Sequence, residues 1–233
     1  MAGKTNLVLV PGLLCTRALW EPQIKALGDV ADMTVADHTR HDTMEAIARS
    51  ILAAAPERFA LAGLSMGGYI SYAILRQAPE RVTRLALLDT GSRADTPERT
   101  AGRRKLIAEA ERHGVRHAQE LLLDKLIHPS RLTDEPLVEA VLQMADDTGL
   151  EAFKRQEAAI IGRPDNRPLL PQIRCPTLVL AGAQDALTPV EMAKEIAAGI
   201  PGAALEIVPD CGHLSTMERP DAVSRALRAW LAG

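Results

Sequence analysis

Short apolar runs rich in branched residues alternate along the chain with longer segments whose apolar residues recur at helical spacing. The runs predict about six strands, near residues 6–10, 32–36, 58–64, 82–89, 176–182 and 203–208. The segments between them predict helices near residues 17–28, 43–55, 66–78, 189–199 and 220–231. This alternation is typical of an α/β fold in which helices cover a mostly parallel sheet.

One long stretch, residues 91–172, departs from the alternation. It has no strand pattern and carries four helical patterns, near residues 97–113, 115–127, 134–147 and 150–161. We interpret it as a helical insertion after the fourth strand, with residues 1–90 and 173–233 forming the core. Because ligands bind beyond the carboxyl ends of parallel strands, we expect this insertion to form a cap over an active site.

Composition narrows the class of protein without indicating a reaction. The chain has 233 residues, of which 47% are hydrophobic and 24% charged, as in an ordinary soluble enzyme. A net charge of −3 gives no reason to expect nucleic acid or an anionic membrane as a partner. Three cysteines form no disulfide framework, and the short run Leu7–Val10 is stopped by Pro11-Gly12, so we expect a cytoplasmic location.

The most informative motif is Gly63-Leu64-Ser65-Met66-Gly67, a Gly-x-Ser-x-Gly pattern between a predicted strand and a predicted helix. A serine on such a sharp turn has a strained backbone that exposes its hydroxyl above the sheet. The flanking glycines let the strand and the helix pass close to each other. On its own the pattern also fits a glycine-rich turn whose serine caps a helix.

Two further loops supply the partners that a serine nucleophile needs. Asp185 follows the fifth predicted strand and His213 follows the sixth, so all three loops open at the same edge of the sheet. Histidine can take and return a proton near neutral pH, and a carboxylate orients its ring. The order Ser65, Asp185, His213 is the order found in α/β-hydrolases.

A developing oxyanion needs two backbone N–H donors. Met66 follows the serine at the start of a helix and is the first candidate. Leu13, in the loop after the first strand, is the second, because Gly12 allows a turn that points its N–H inward.

These pieces together resemble the α/β-hydrolase superfamily, close to its small esterases, enol-lactonases and carbon–carbon bond hydrolases. The resemblance lies in Leu7–Cys15, Ala62–Tyr69, Cys175–Pro189 and Gly212–Pro220, which span the chain except the insertion. The family often has His-Gly where this chain has Pro11-Gly12, and only about five residues precede the first strand. The resemblance therefore implies a sheet of about six strands without the N-terminal strand pair of the family.

The resemblance implies a serine hydrolase that acts on a small carboxylic ester, thioester or lactone, with no cofactor and no metal. Enol-lactonase, carbon–carbon hydrolase and acyltransferase activities are alternatives on the same fold, and a non-catalytic ligand-binding protein is a further one. We expect apolar acyl groups of modest length, in a pocket lined by Leu13, Leu14, Met66, Leu187, Leu214 and Met217.

Several other residues could carry chemistry, and for each we weigh a structural role. Asp89, after the fourth strand, is the rival acid for His213, although Asp185 matches the family pattern better. Cys15 and Cys211 flank the site but are expected to be small buried hydrophobes.

Two charged clusters are expected to be solvated. Asp37, His38, His41 and Asp42 lack metal-ligand spacing, and Asp42 has a role as helix N-cap with Glu45 three residues later. The basic groups of the insertion are interleaved with acids, which favours a charged outer surface: Arg103, Arg104, Lys105, Arg112, Arg116 and His117. An arginine turned inward would instead suit a substrate bearing a carboxylate.

Overall fold

A parallel sheet organises the chain, in a computed structural model that describes residues 3–233. Within those residues six strands are present, which confirms the predicted α/β fold: β1 (Thr5–Val10), β2 (Ala31–Val35), β3 (Phe59–Leu64), β4 (Val82–Leu88), β5 (Thr177–Gly182) and β6 (Ala204–Val208). Each lies within a few residues of its predicted position.

The strand order is β2-β1-β3-β4-β5-β6, and every neighbouring pair is parallel. The chain moves outward from β1 to β2 and then returns to the other side of β1 to build the rest of the sheet. The crevice at such a reversal, beyond the carboxyl ends of the strands, is where ligands bind in open α/β sheets. The loops after β1 and β3 border that crevice.

Helices cover both faces of the sheet. Those in the described residues are α1 (Glu21–Leu27), α2 (Met44–Ala54), α3 (Met66–Gln77), α4 (Pro97–His113), α5 (Val115–Glu120), α6 (Leu123–Leu126), α7 (Glu135–Thr148), α8 (Leu150–Ile161), α9 (Val190–Gly199), α10 (Ser215–Glu218) and α11 (Pro220–Ala232). None of them is both long and apolar enough to cross a membrane.

The side chains of the strands alternate between two buried clusters, as a sheet covered on both faces requires. Val8 and Leu61 pack with α2, α3 and α9, whereas Leu7 and Ala62 pack on the opposite face with α1 and α11. β3 and β5 are buried along their whole length, and β4 over its last four residues, so these stretches are almost wholly apolar. This rigid frame fixes the positions of the loops at the carboxyl edge.

Residues 91–172, which we call the helical segment, are all described and contain no strand. The predicted helix at 115–127 is wrong in one respect, because it is two helices, α5 and α6. The break occurs at Leu121 and Leu122, where Leu122 N–H bonds to the carbonyl of Gln119 three residues back. Such i→i−3 bonds tighten the end of a helix and let the chain change direction.

The N-cap of α2 also differs from the prediction. Thr43, not Asp42, precedes the helix with an extended backbone, and its side chain accepts a hydrogen bond from Ala46 N–H at 3.2 Å. Threonine and aspartate both cap helices well, so the sequence alone does not decide which of these two adjacent residues is the N-cap.

Candidate active site

Ser65 occupies the sharp turn between β3 and α3. Its backbone has φ 55° and ψ −113°, a conformation that L-residues rarely adopt. Three hydrogen bonds hold it: Ser65 N–H donates to Leu88 O, and its carbonyl accepts from Gly68 N–H and the Thr90 hydroxyl. Groups of β4, of α3 and of the residues after β4 therefore stabilise this strained backbone conformation.

The two glycines of the motif are explained by close approach. A side chain on Gly67 would collide with the carbonyl oxygen of Val10 at the end of β1. A side chain on Gly63 would collide with the backbone of Gly67 itself. Only residues without a Cβ let β1, β3 and α3 converge so tightly around the serine.

Ser65, His213 and Asp185 form one hydrogen-bonded chain. The Ser65 hydroxyl lies 2.8 Å from Nε2 of His213, and Nδ1 of His213 lies 2.8 Å from Oδ2 of Asp185. A carboxylate accepts, so the proton on the ring belongs to Nδ1, and Nε2 is left to accept from the serine. The structure thus brings together the three side chains that the sequence places on separate loops.

Asp185 is held by its own loop. Its Oδ1 accepts hydrogen bonds from the backbone N–H groups of Leu187 and Thr188, and its Oδ2 also accepts from the Thr188 hydroxyl at 2.6 Å. Burial opposes ionisation, but the charge and hydrogen bond of His213 keep the pKa of Asp185 below its usual value. The acid is therefore ionised and fixed in direction.

The pKa of His213 depends on its contact with Asp185. Burial alone would lower the pKa of His213, because the imidazolium ion is poorly solvated there. The negative charge of Asp185 and its hydrogen bond outweigh burial and raise that pKa above its usual value. A ring with a raised pKa is a stronger base than a free histidine.

Asp89, the rival acid, makes other contacts. Its Oδ1 accepts from Gly182 N–H at 2.9 Å, and its Oδ2 accepts from the hydroxyl of Ser215. No hydrogen bond joins it to His213 within the described residues. Burial and the nearby charge of Asp185 raise the pKa of Asp89 well above its usual range. Asp89 ties β4 to β5 and α10 at the carboxyl edge.

The loop after β1 lies directly beside the serine. A Cβ built on Gly12 would be 3.4 Å from the Cβ of Ser65. The N–H groups of Leu13 and Met66 donate to no protein acceptor in residues 3–233, and Met66 is the first residue of α3. Met66 N–H, next to Ser65 in the chain, and Leu13 N–H, in the loop after β1, are thus free to bind an oxygen atom.

His38 and Gln156 hold this loop, and sequence reasoning missed both. Nε2 of His38 lies 2.9 Å from the carbonyl of Gly12 and 3.0 Å from the side-chain amide nitrogen of Gln156. Oε1 of Gln156 accepts from Leu14 N–H at 3.2 Å. The expectation that His38 is solvated is wrong, because it is only 3% exposed. Burial lowers its pKa, so the ring stays neutral. No group of three His, Cys, Asp or Glu side chains in residues 3–233 could hold a metal ion.

Comparison with known proteins now gives the family. The sequence model of the alpha/beta hydrolase family matches residues 7–226, nearly the whole chain. The chain belongs to the alpha/beta hydrolase family. The resemblance inferred from the Gly-x-Ser-x-Gly motif and from the loops that carry Asp185 and His213 is therefore confirmed.

The relatives of this hydrolase differ in the bonds they cleave. An esterase of Thermogutta terrifontis, solved with malate bound, is 32% identical with a TM-score of 0.90, over 99% of this chain and 90% of that one. An enol-lactonase of Burkholderia xenovorans LB400 is 25% identical with a TM-score of 0.89, over 100% and 93%. A 2-hydroxy-6-oxononadienedioate/2-hydroxy-6-oxononatrienedioate hydrolase of Escherichia coli K12 is 32% identical over 178 residues, which are 74% of this chain but only 62% of that relative.

The hydrolase has a cavity of about 530 Å³ that reaches both Ser65 and His213, and we call it the main cavity. Much of its wall is aliphatic and comes from the helical segment: Leu106, Leu121, Leu122, Leu126 and Ile160. A volume of this size is typical of sites for small molecules. Ser65 therefore lines a pocket to which the helical segment contributes part of the wall.

The predicted lining of the pocket needs correction. Leu13, Leu187 and Leu214 line the main cavity, but three other predicted residues do not: Leu14, Met66 and Met217. Leu14 has a positive φ of 54°, and its side chain packs with Val115 and Phe153 instead. Met66 and Met217 pack into the two clusters beside the sheet.

The charged residues of the helical segment also depart from expectation. Arg104 and Arg112 are exposed, as predicted, but Arg103 turns inward, with a side chain only 20% exposed. It contacts Asp95 and Glu157, both of which are buried, and it lines the main cavity. Helix periodicity could have shown this, because Arg103 is one turn before the inward-facing Leu106.

Glu218 makes two further contacts near the site that the sequence does not predict. Its two carboxylate oxygens accept from Gly212 N–H at 3.0 Å and from His128 N–H at 2.7 Å. His213 N–H and Leu214 N–H donate to the carbonyl of Leu126 in α6. The loop that carries His213 is thus fastened to the helical segment.

Cys15 and Cys211 are buried and carry free thiols. Burial raises the pKa of Cys15 to about 12 and also raises the pKa of Cys211, so both stay protonated. Their packing in one apolar cluster agrees with a role as small hydrophobes.

Proposed function

We propose that this protein is a serine hydrolase that cleaves a small carboxylic ester, thioester or lactone through an acyl-serine intermediate. The observation that carries the proposal is the unbroken contact from Ser65 Oγ through His213 to Asp185, on a strained turn. A serine hydroxyl is a poor nucleophile unless a base lies beside it, and here a base lies at 2.8 Å.

In the first half of the reaction, Ser65 Oγ attacks the carbonyl carbon of the ester as its proton passes to Nε2 of His213. Asp185 stabilises the imidazolium ion and stays ionised itself. The carbonyl oxygen becomes negative and binds to Leu13 N–H and Met66 N–H. His213 then gives its proton to the departing alcohol, and the acyl group remains on Ser65.

In the second half, water takes the place of the alcohol. His213 removes a proton from the water, whose oxygen attacks the acyl carbon, and the same two N–H groups hold the second oxyanion. The bond to Ser65 Oγ breaks, Ser65 recovers its proton from His213, and the carboxylic acid leaves. Each step uses only side chains and backbone groups of this chain, so the proposal requires no cofactor.

The esterase and the enol-lactonase named above support an ester or lactone, since both align over nearly the full chain. Carbon–carbon hydrolysis is the alternative that the Escherichia coli relative suggests. Acyl transfer is another, and product analysis with a competing alcohol or thiol separates it from hydrolysis.

We also propose that the helical segment is a cap that sets substrate size. It supplies most of the aliphatic wall of the main cavity, which favours acyl groups of modest length. A series of p-nitrophenyl esters from acetate to a long-chain acid tests this, and equal activity along the series would contradict it.

The direct test is a panel of esters, thioesters and lactones assayed with the natural chain and with Ser65→Ala. Turnover is expected only in the natural chain, with a loss of up to about 10⁶-fold in the variant. A fluorophosphonate probe should label the natural chain and not Ser65→Ala. Failure to label the folded natural chain would overturn the proposal and favour a ligand-binding protein.

A further inference from the structure

A single carboxylate joins the loop that carries His213 to the helical segment. Glu218 is the last residue of α10, and it is only 2% exposed. Its Oε1 accepts a hydrogen bond from Gly212 N–H at 3.0 Å, and its Oε2 accepts from His128 N–H at 2.7 Å. Gly212 directly precedes His213, whereas His128 lies just after α6. We call this pair of contacts the Glu218 bridge.

The bridge is made of charged hydrogen bonds without a cation. In residues 3–233 the Glu218 carboxylate forms no ion pair, and Arg131, which donates to the backbone carbonyl of Glu218, pairs with Asp134. Both carboxylate oxygens accept from backbone N–H groups, as they do in the ionised form. Hydrogen bonds to an ionised group are shorter and about twice as strong as those between neutral groups, so the bridge holds its two segments firmly.

The two segments are also in direct contact at Gly212. A Cβ built on this residue would lie 2.7 Å from the backbone nitrogen of His128 and 2.8 Å from Oε1 of Glu218. The next residue, His213, donates its N–H to the carbonyl of Leu126 at 3.0 Å. The backbone that carries the His213 ring is therefore set by α10 and the helical segment.

The position of that ring decides whether it can act as a base. Nε2 of His213 lies 2.8 Å from Ser65 Oγ, which is within reach for proton transfer. A displacement of about 1 Å at a catalytic group costs about 10²-fold in rate. Glu218 is not among the residues that line the main cavity, so it can influence the reaction only through groups that it holds.

The far end of the bridge belongs to a wall of the main cavity. Leu122, Lys125 and Leu126 line that cavity, and His128 follows them closely in the chain. The bridge therefore connects part of the cavity wall with the residue that accepts the proton of Ser65.

We propose that Glu218 is a positioning residue, which holds His213 against Ser65 by fastening its loop to the helical segment. This proposal rests on the proposed hydrolase function. Glu218 contacts no reacting atom and transfers no proton, and it acts only through the place of the His213 ring. Its loss should therefore lower kcat and leave substrate binding nearly unchanged.

Glu218→Gln and Glu218→Met remove the bridge in two steps. Glutamine keeps one oxygen for one N–H and turns an NH₂ group toward the other, whereas methionine leaves both N–H groups without a partner. With the best ester of the panel, kcat should fall by about tenfold in Glu218→Gln and about 100-fold in Glu218→Met, while KM changes by less than about threefold. Natural kcat in both variants, with or without a higher KM, would overturn the proposal.

A double-mutant cycle separates positioning from a merely structural role. If Glu218 acts through His213, adding Glu218→Met to a His213→Ala chain should cost less than about threefold more. A p-nitrophenyl ester, which has a good leaving group, gives the residual rates to compare. A structural role would lower the residual rate by the same factor as in the natural chain, and that result would contradict the proposal.

The matched control is Glu80, which is exposed in the turn before β4. Glu80→Gln and Glu80→Met should keep the natural kcat, and every variant is assayed well below its midpoint of thermal unfolding. Should Glu218→Met not fold, Glu218→Gln, which has nearly the shape of glutamate, decides.

The outcomes also separate this inference from the proposed function. If the natural chain hydrolyses no ester of the panel, the proposed function fails and the role of Glu218 fails with it. If the natural chain is active and the Glu218 variants keep its kcat, only the positioning role fails.

Discussion

The carboxyl edge of the sheet and the wall of the helical segment meet at one cavity but differ in how their polar groups are satisfied. At the sheet edge, Asp185 is fully hydrogen-bonded and Asp89 has a partner on each oxygen. In the helical segment, Gln119 and Glu157 each keep an atom without a partner. The carboxylates of the sheet edge are thus fully paired, whereas the buried polar side chains of the helical segment are not.

This difference in hydrogen bonding corresponds to two tasks of an enzyme, which are to stabilise the transition state and to select the substrate. Groups that stabilise a transition state must be oriented in advance, since reorientation during the reaction costs activation energy. Groups that select a substrate are satisfied by the substrate itself, and their discrimination comes from the cost of leaving them unpaired. On the proposed function, the sheet edge carries the chemistry, and the helical segment, which lines much of the main cavity, influences the choice of substrate.

The largest expected effect tests whether the sheet edge has one catalytic acid. Asp185→Asn should lower kcat by about 10⁴-fold, because the neutral amide no longer fixes the tautomer of His213 or stabilises its cation. Asp89→Asn, the same change one strand away, should cost about tenfold or less, since Asp89 does not contact His213. Steady-state kinetics with the best ester of the panel measures both.

Equal losses in the two variants would contradict this assignment. Thermal unfolding of each variant is the control, because Asp89 is buried and links three elements. A large loss of activity in Asp89→Asn with unchanged unfolding would make it the functional acid after all.

The sequence predicted the sheet edge far better than the helical segment, for physical reasons. Strand patterns and the turn around Ser65 are local signals, and parallel strands necessarily bring their carboxyl ends to one edge. The contact of Gln156 with Leu14 spans 142 positions, so no local pattern could reveal it. Arg103 was assigned to the outer surface because charge alone does not tell which face of a helix is covered.

His38 illustrates the same limit at the sheet edge. Its neighbours Asp37 and Asp42 are exposed, and the polar loop they form gives no sign that one ring turns inward to Gly12. Geometry alone identifies it as a residue that positions the loop after β1.

The second prediction tests whether the contacts of His38 and Gln156 with the loop after β1 orient that loop before substrate binds. His38→Leu and Gln156→Met should each lower kcat by about 10²-fold with little change in KM, because Leu13 N–H then lies slightly out of place when the oxyanion forms. His38→Gln keeps a side-chain amide donor and should recover part of the activity. His41→Leu, three residues away, is the matched control and should behave like the natural chain.

An increase in KM with kcat unchanged would contradict this role. It would mean that His38 and Gln156 serve ground-state binding, and the contrast between the two regions would weaken, because α8 carries Gln156 as well as Glu157.

The third prediction concerns pH. Only neutral His213 can accept the proton of Ser65, so kcat/KM should fall as pH drops through its pKa, by about tenfold per unit. Asp185 raises that pKa, so the midpoint should lie above about 6.5, the value of a free histidine. Asp185→Asn removes the charge and should move the midpoint to lower pH. His38 titrates lower, because burial depresses its pKa, so His38→Gln should leave the midpoint unmoved.

The smallest expected effect tests whether the outer surface of the helical segment influences stability or the choice of substrate. Arg116 pairs with Glu139 and Asp146, but these side chains are 35%, 61% and 38% exposed. Exposed ion pairs are screened by water and salt, so Glu139→Met should shift the midpoint of thermal unfolding by no more than about 3 °C. Its kcat/KM for every ester should equal that of the natural chain. A changed order of preference among the esters would show that the surface of α7 influences the wall of the main cavity.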